Sequence, residues 1–189
     1  MTGKQELRQA LRERRRALLA DPEWTAARRA REHDIGQRII AHLDDAIVVA
    51  GYCAEGTELD ALPALRAAHG RGRITALPHI AGRGSPMRFL RWEPGQKLIA
   101  GVYGLLQPPV DAPEVDPDLI LAPLLGFDRA MRRLGQGAGF YDRAFARLPA
   151  ARRIGLAWSV QEVDELPADP WDVPLHAVVT EKEWIEPKA

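Results

Sequence analysis

The sequence predicts an α/β fold: a single domain over residues 1–189, built on a mostly parallel sheet flanked by helices, with an N-terminal helical pair. Two observations carry this expectation. From residue 47 onward, short and nearly continuous apolar runs recur, separated by helix-length segments, which is the pattern of parallel strands buried on both faces. Before residue 47 the apolar residues fall instead at helical spacing.

Taken in order, the opening segment reads as a helix. Thr2 and Gln5 have capping-box spacing, and Leu7, Ala10, Leu11 and Leu18 share a face. Lys4, Arg8, Arg12, Arg15 and Arg16 occupy the remaining faces. Asp21-Pro22 starts a second helix as a good N-cap followed by a good first-turn residue, and it runs through Ile35, Ile39 and Ile40 toward Leu43. The run from Ile47 to Tyr52 is a buried strand. A loop follows, then a helix near Asp60–His69 closed by Gly70. Arg73–Leu77 is a second strand, ended by Pro78. Met87–Trp92 alternates like a half-exposed strand, and Glu93-Pro94-Gly95 is a turn. The Pro- and Asp-rich stretch 107–118 is an ordered loop or spacer. Leu119–Ala122, Ile154–Trp158 and Ala177–Val179 complete the strands.

Composition narrows the function. Apolar residues at 46% and charged residues at 28% exclude disorder as the main state. Lys plus Arg and Asp plus Glu number 26 each, and zero net charge argues against bulk nucleic-acid binding while allowing a local basic patch. Cys53 is the sole cysteine, so no internal disulfide forms. His33, His42, His69, His79 and His176 lack zinc-ligand spacing. No stretch approaches the ~20 apolar residues of a membrane span, and the Arg-rich N-terminus lacks an apolar signal core. The expectation is a cytoplasmic protein without a membrane partner.

The chemistry concentrates in Arg133-Leu134-Gly135-Gln136-Gly137-Ala138-Gly139-Phe140-Tyr141-Asp142-Arg143. Three glycines alternate with other residues, and a helical pattern follows. Such a loop offers free backbone amides and the positive end of a helix dipole, a nest for phosphate. It is neither a Walker A loop nor a dinucleotide fingerprint, and a flexible loop ending in a helix cap explains the spacing equally well. Arg133 and Arg143 bracket the loop as cations. Asp142 is either a magnesium carboxylate beside phosphates or a simple helix-start charge.

This loop, preceded by Ala122-Pro123-Leu124-Leu125-Gly126-Phe127-Asp128, resembles the signature of the 5-formyltetrahydrofolate cyclo-ligase (5,10-methenyltetrahydrofolate synthetase) family. The resemblance extends along nearly the whole chain, through Lys4–Arg8, Glu58-Leu59-Asp60, Leu90-Arg91-Trp92, Tyr103-Gly104 with Pro108, Gln161, Leu166-Pro167, Trp171–Pro174 and Val178–Glu181. It departs at Met131, where the family usually has glycine, and at Ala61, Ala138 and His176. It implies ATP- and Mg²⁺-dependent closure of 5-formyltetrahydrofolate to 5,10-methenyltetrahydrofolate: the formyl oxygen is phosphorylated, N10 attacks, and phosphate leaves.

Residue by residue, the resemblance implies that Lys4, Arg8 and Arg133 through Tyr141 (Leu134, Gly135, Gln136, Gly137, Ala138, Gly139 and Phe140 included) bind ATP. It implies that Arg8, Cys53, Glu58 and Gln136–Phe140 meet the folate, that Arg133 and Tyr141 are catalytic, and that Asp142 and Asp172 hold magnesium. Glu58 suits a pterin, since a carboxylate accepts hydrogen bonds from its amino and ring N–H groups. Against these stand blander expectations. Cys53 is a small apolar wall, Trp92 and Trp158 are core or pocket wall, and Asp111, Asp116 and Asp118 are loop solvation. Arg12, Arg14, Arg15 and Arg16 form a solvated helix face. Two other functions stand beside the cyclo-ligase: a diverged paralogue that binds without efficient turnover, and an RNA-binding module using the Arg-rich helix.

Overall fold

The computed structural model describes residues 2–82 and 84–187. Two long helices come first, α1 (Thr2–Ala20) and α2 (Pro22–Ile40). The expected α1 capping box rests on the Thr2 side chain, which lies outside the described residues. Leu11 is fully buried on α1, but Ala10 is exposed and Arg15 takes the inward place. The reason is angular. Adjacent helical residues stand 100° apart, so Ala10 turns away from the Leu11 stripe, whereas Arg15, four residues on, stays with it. At α2, Asp21 caps as expected: its Oδ1 accepts from the amides of Glu23 and Trp24 at 2.8 and 3.1 Å.

The strands follow as β1 (Val48–Ala50), β2 (Ile74–His79), β3 (Arg88–Arg91), β4 (Ile99–Ala100), β5 (Leu106–Gln107), β6 (Leu119–Pro123), β7 (Gly126–Phe127), β8 (Arg133–Leu134), β9 (Arg152–Leu156), β10 (Ala177–Val179) and β11 (Trp184–Ile185). Helix α3 (Leu62–His69) joins β1 to β2, and α4 (Phe140–Arg147) precedes β9. Seven strands form one sheet in the order β11-β10-β9-β6-β1-β2-β3. The five central strands are parallel, and β3 and β11 close the two edges antiparallel. Apolar layers cover both faces of the sheet. Ile35, Ile39, Leu65 and Trp158 pack on one side, and Phe89, Phe127 and Phe145 on the other.

Several local expectations change in the folded chain. Pro78 does not end β2 but sits inside it, opposite Phe89. β1 pairs with β2 only as far as Ala76, so beyond that point the missing proline N–H costs no ladder bond on the β1 side. Met87–Trp92 is not half-exposed: Phe89 and Leu90 point to opposite faces and both are buried. The 107–118 spacer covers this edge, with the Val115 amide donating to the Phe89 carbonyl and Arg91 to that of Pro113. Asp118 is not loop solvation either. Its Oδ2 accepts from the amides of Ile47 and Val48 at 3.0 and 2.9 Å, fixing the start of β1. The two-residue strands β4, β5, β7, β8 and β11 carry no periodicity that the sequence could reveal, and they exist because their partners do.

The chain runs from β1 outward to β2 and β3, then crosses back to β6 on the other side of β1. Strand order therefore reverses at β1, and the crevice beyond the carboxyl ends of such strands is where open α/β sheets bind ligands. α1 reaches this crevice because Gly126 lets it approach closely. A Cβ there would stand 2.6 Å from Leu11 Cδ1.

Candidate active site

A cavity of about 830 Å³ opens at the carboxyl ends of β1, β2 and β6, lined there by Tyr52 and Cys53, by Ile80, and by Pro123 and Leu124. Its volume suits a ligand of cofactor size. Lys4, Arg8, Cys53, Glu58, Arg133–Asp142 and Asp172 all line it, so the fold brings every candidate residue to one place.

The glycine loop is set up by Asp128. This fully buried carboxylate accepts from the amides of Ala130, Arg132 and Leu166 and from Arg132 Nε, at 2.6 to 3.1 Å. It thereby shapes the turn between β7 and β8. In that turn Met131 holds φ of 63°, a left-handed conformation that a glycine adopts without steric cost. The chain then enters Gly135–Gly139, with φ of 104° at Gly137 and 65° at Gly139. Gly139 is the N-cap of α4 and provides no side-chain cap, so the first-turn amides of a helix start face the cavity rim with the dipole behind them. Leu134 lies beneath the loop, its side chain packed with Leu11 and Leu166. Arg8 fastens the loop from α1, with Nε donating to the Gly135 carbonyl at 3.0 Å.

The cations are not equivalent. Arg133 is 4% exposed and committed: Nη2 donates to Asp142 Oδ1 at 2.7 Å and Nη1 to the Val173 carbonyl at 2.9 Å. It underpins the loop from one side rather than bracketing it as a free charge. Arg143 stands exposed at the rim with no carboxylate partner among the described residues, its guanidinium 5.1 Å over the Phe140 ring. Lys4 Nζ bridges Asp169 and Asp172 at 2.7 and 2.9 Å. Burial alone would lower the Lys4 pKa, but the two carboxylates outweigh it and hold it above its ordinary value. For Asp172 burial pushes upward, and the Asp169 amide together with Lys4 overcomes this, leaving the carboxyl below its ordinary range.

The opposite wall carries Glu58, nearly buried. Its Oε2 accepts from the Glu55 amide at 3.0 Å and its Oε1 from Gln136 Nε2 at 3.3 Å. Gln136 Oε1 in turn accepts from Arg12 Nη2 at 2.7 Å. Arg15 Nε donates to Thr57 Oγ1 at 2.8 Å and Arg28 Nη2 to the Glu58 carbonyl at 2.6 Å. Arg12 and Arg15 are therefore not a solvated face: Arg12 holds Gln136 of the glycine loop, and Arg15 holds Thr57 in the loop that carries Glu58. Of the four arginines expected to face solvent, Arg12 and Arg15 are turned toward their own chain, which leaves Arg14 and Arg16 exposed.

Cys53 is half-buried, and burial, with Asp60 nearby, pushes its thiol up to about 11, which suits a wall and not a nucleophile. Tyr141 is different. Its hydroxyl is buried and has no hydrogen-bond partner among the described residues, although the residue lines the cavity. Burial first, and then the Glu58 charge, drive its pKa far upward, so it remains a protonated donor. A buried donor without an acceptor costs free energy, and at a cavity wall it marks the place of a ligand acceptor. Sequence reasoning missed Tyr52, Met87, Leu105, Asp169 and Trp171, which also line the cavity. Trp171 stood in the Trp171–Pro174 motif without a role of its own, and the Asp169-Pro170-Trp171-Asp172 run signals both of the last two as an acidic pair around an aromatic residue.

Among the described residues, no cluster of three or more His, Cys, Asp or Glu side chains could hold a metal by itself. Asp142 and Asp172 each give one oxygen to a cation, Arg133 and Lys4 respectively. Magnesium that arrives with phosphates takes one or two protein carboxylates and keeps the rest of its shell on phosphate and water. The donor set thus fits a metal carried in by a nucleotide and does not fit a permanent cation.

Comparison with known proteins places this cavity in context. No helix among the described residues is long and apolar enough to cross a membrane. The chain shares 32% identity over 180 residues with 5-formyltetrahydrofolate cyclo-ligase of Escherichia coli strain K12, covering 90% of this chain and 96% of that one. With the Mycolicibacterium smegmatis enzyme of the same name it shares 32% over 192 residues, covering 97% and 96%. The solved structure of Aquifex aeolicus 5,10-methenyltetrahydrofolate synthetase superposes with a TM-score of 0.76 at 29% identity, over 97% of this chain and 92% of that one. A synthetase from Mycoplasma pneumoniae shares the fold, with a TM-score of 0.71 at 24% identity over 95% and 99%. Residues 1–181 match the 5-formyltetrahydrofolate cyclo-ligase family as a whole. With a glycine loop at a helix start and a buried carboxylate facing one cavity at the sheet's switch point, and with this match along nearly its full length, the chain belongs to the 5-formyltetrahydrofolate cyclo-ligase family.

Proposed function

We propose that this protein closes 5-formyltetrahydrofolate to 5,10-methenyltetrahydrofolate at the expense of ATP, releasing ADP and phosphate. The observation that carries this reading is a single cavity with two chemically distinct walls. One is the loop Gly135–Gly139 at the start of α4, suited to phosphate, and the other is Glu58, suited to the N–H groups of a pterin. Gln136 joins the two walls, which is where two reacting molecules must meet.

The formyl oxygen is a poor leaving group. Its attack on the γ-phosphorus breaks the bond to ADP and creates a formyl phosphate-like carbon. N10 then attacks that carbon, and phosphate departs with the oxygen. Most of the protein's work is positioning and charge stabilisation. The loop amides and Arg8 hold phosphate oxygens, and Lys4 lies beside them. Glu58 fixes the pterin. Tyr141 donates its hydroxyl to the formyl oxygen or the phosphoryl group forming on it. Arg133 adds positive charge beneath the loop while fixing Asp142. Asp142 and Asp172 would hold Mg²⁺ with the nucleotide, and the ion would supply charge neutralisation at the phosphates.

The test is direct. Purified protein with 5-formyltetrahydrofolate, ATP and Mg²⁺ is expected to form the methenyl product, read by its near-UV absorbance, with one ADP and one phosphate per turnover. Product formation that persists without ATP would remove the activation step. Folded protein that binds both ligands without turnover would identify a diverged paralogue.

A further inference from the structure

The turn Asp169–Asp172 is tied down at both ends. The Asp172 amide donates to the Asp169 carbonyl at 3.0 Å, and the Asp169 amide to Asp172 Oδ2 at 2.8 Å. Lys4 of α1 clasps both carboxylates. On the far side, the Val173 carbonyl accepts from Arg133 and its amide lies 3.4 Å from Asp142 Oδ1. At the tip stands Trp171, 69% exposed and lining the cavity. None of the aromatic contacts among the described residues involves it. The four other tryptophans are buried or half-buried. An indole left open at a cavity rim loses the burial that normally stabilises so large a side chain, and holding its turn with this many bonds preorganises it for an incoming surface.

We propose that Trp171 is the stacking platform for the nucleobase, and that the Asp169–Asp172 turn is the base subsite of the nucleotide. This rests on the nucleotide reading above. The choice of the base over the folate's own rings follows from what anchors the turn. Lys4 holds the turn itself, and Arg133 and Asp142 hold the adjoining Val173, all three being charged groups of the phosphate wall, whereas Glu58 is held by Glu55 and Gln136 across the loop. Purine and indole faces stack without needing a donor–acceptor match, so the subsite selects for an aromatic base more strongly than for which base it is.

The experiment compares ATP with inorganic tripolyphosphate, which carries the same phosphates and no base. Binding of each, and of 5-formyltetrahydrofolate, is measured by calorimetry on the parent, Trp171→Ala and Trp171→Phe proteins. The parent is expected to bind ATP more tightly than tripolyphosphate. Trp171→Ala should weaken ATP about tenfold or more, leave tripolyphosphate and folate within about twofold, and so erase the preference. Trp171→Phe, which keeps a ring, should retain most of it. Trp171 emission should be quenched by ATP and not by tripolyphosphate. Equal preference in the parent and Trp171→Ala, or a loss that falls on folate instead, would overturn the base subsite while leaving nucleotide binding intact. A parent that binds neither ATP nor tripolyphosphate would overturn the nucleotide reading itself, and the base subsite with it.

Discussion

Replacing Tyr141 by Phe separates stability from function by moving them in opposite directions. The ring packs edge-on against Phe145 at 5.9 Å, a contact that Phe preserves. Only the hydroxyl is lost, and that hydroxyl is buried without a partner among the described residues. Removing an unsatisfied buried polar group relieves its desolvation cost, about 1 kcal/mol at the low end of the usual range. For a chain of this length that corresponds to a melting point about 2–4 °C higher. Turnover should move the other way. If the hydroxyl donates to an oxygen on which negative charge develops, its loss costs about 10²–10³-fold in kcat, as for other preorganised donors. Since the Tyr141 pKa lies far above its ordinary value, the parent's activity should show no alkaline limb from this group. The assay pairs a thermal melt without ligand with steady-state kinetics on the same preparation. A lower melting point with unchanged kcat would refute the reasoning, because it would mean that the hydroxyl has a structural partner and no ligand.

Three further outcomes are expected. Gly137→Val places a β-branched side chain at φ of 104°, with its Cβ 3.4 Å from the Arg8 guanidinium carbon, so calorimetric ATP binding should be lost while the circular dichroism spectrum is kept; ATP binding within about threefold of the parent would contradict the phosphate nest. Asp142→Asn leaves the nearly buried Arg133 without its counter-charge but keeps an acceptor oxygen, so stability should fall by roughly 1–3 kcal/mol, less than the loss for a fully deleted partner, and the Mg²⁺ requirement for turnover should rise; a lower melting point with an unchanged Mg²⁺ titration would make Asp142 purely a support for Arg133. The Lys4 clasp should open in acid: Asp172 is depressed below its ordinary 3.8, so its contribution is complete above that value and is lost as pH falls below it, and Trp171 emission should report this, with the transition displaced toward higher pH in Lys4→Met; an identical acid transition in that variant would show that Lys4 does not hold the turn.

Much of the architecture was legible because local chemistry and tertiary packing agree. Asp21-Pro22 caps α2 in any context, and the apolar runs at 48–50, 119–122 and 177–179 have no stable place except inside a parallel sheet. The glycine loop and helix α4 were legible for the same reason, since no other residue type takes φ of 104° at so little cost. The ordered motifs named the family, but a motif does not say what its residues do. Phe127-Asp128 and Gln161 recur in the pattern beside the loop, yet both are structural. Asp128 shapes the β7–β8 turn, and Gln161 bonds the carbonyls of Leu124 and Leu125 beneath it.

The sequence by itself determined the class of fold, the Asp21 cap of α2, the glycine loop that leads into α4, and the family. Each of these depends on residues close together in the chain, or on a pattern read along it. The tertiary structure alone decided which charges are free. Lys4 is spent on two aspartates some 165 residues away, Arg133 on Asp142, Arg12 on Gln136 of the glycine loop, and Arg15 on the loop that carries Glu58. It also decided that Tyr141 keeps an unsatisfied hydroxyl and that Trp171 is left open at the tip of a clasped turn. A guanidinium on a helix looks the same in sequence whether it faces water or a distant carboxylate. Its role is fixed by the Coulomb and desolvation energies of neighbours that only the folded chain brings near, and these fall off within a few ångströms.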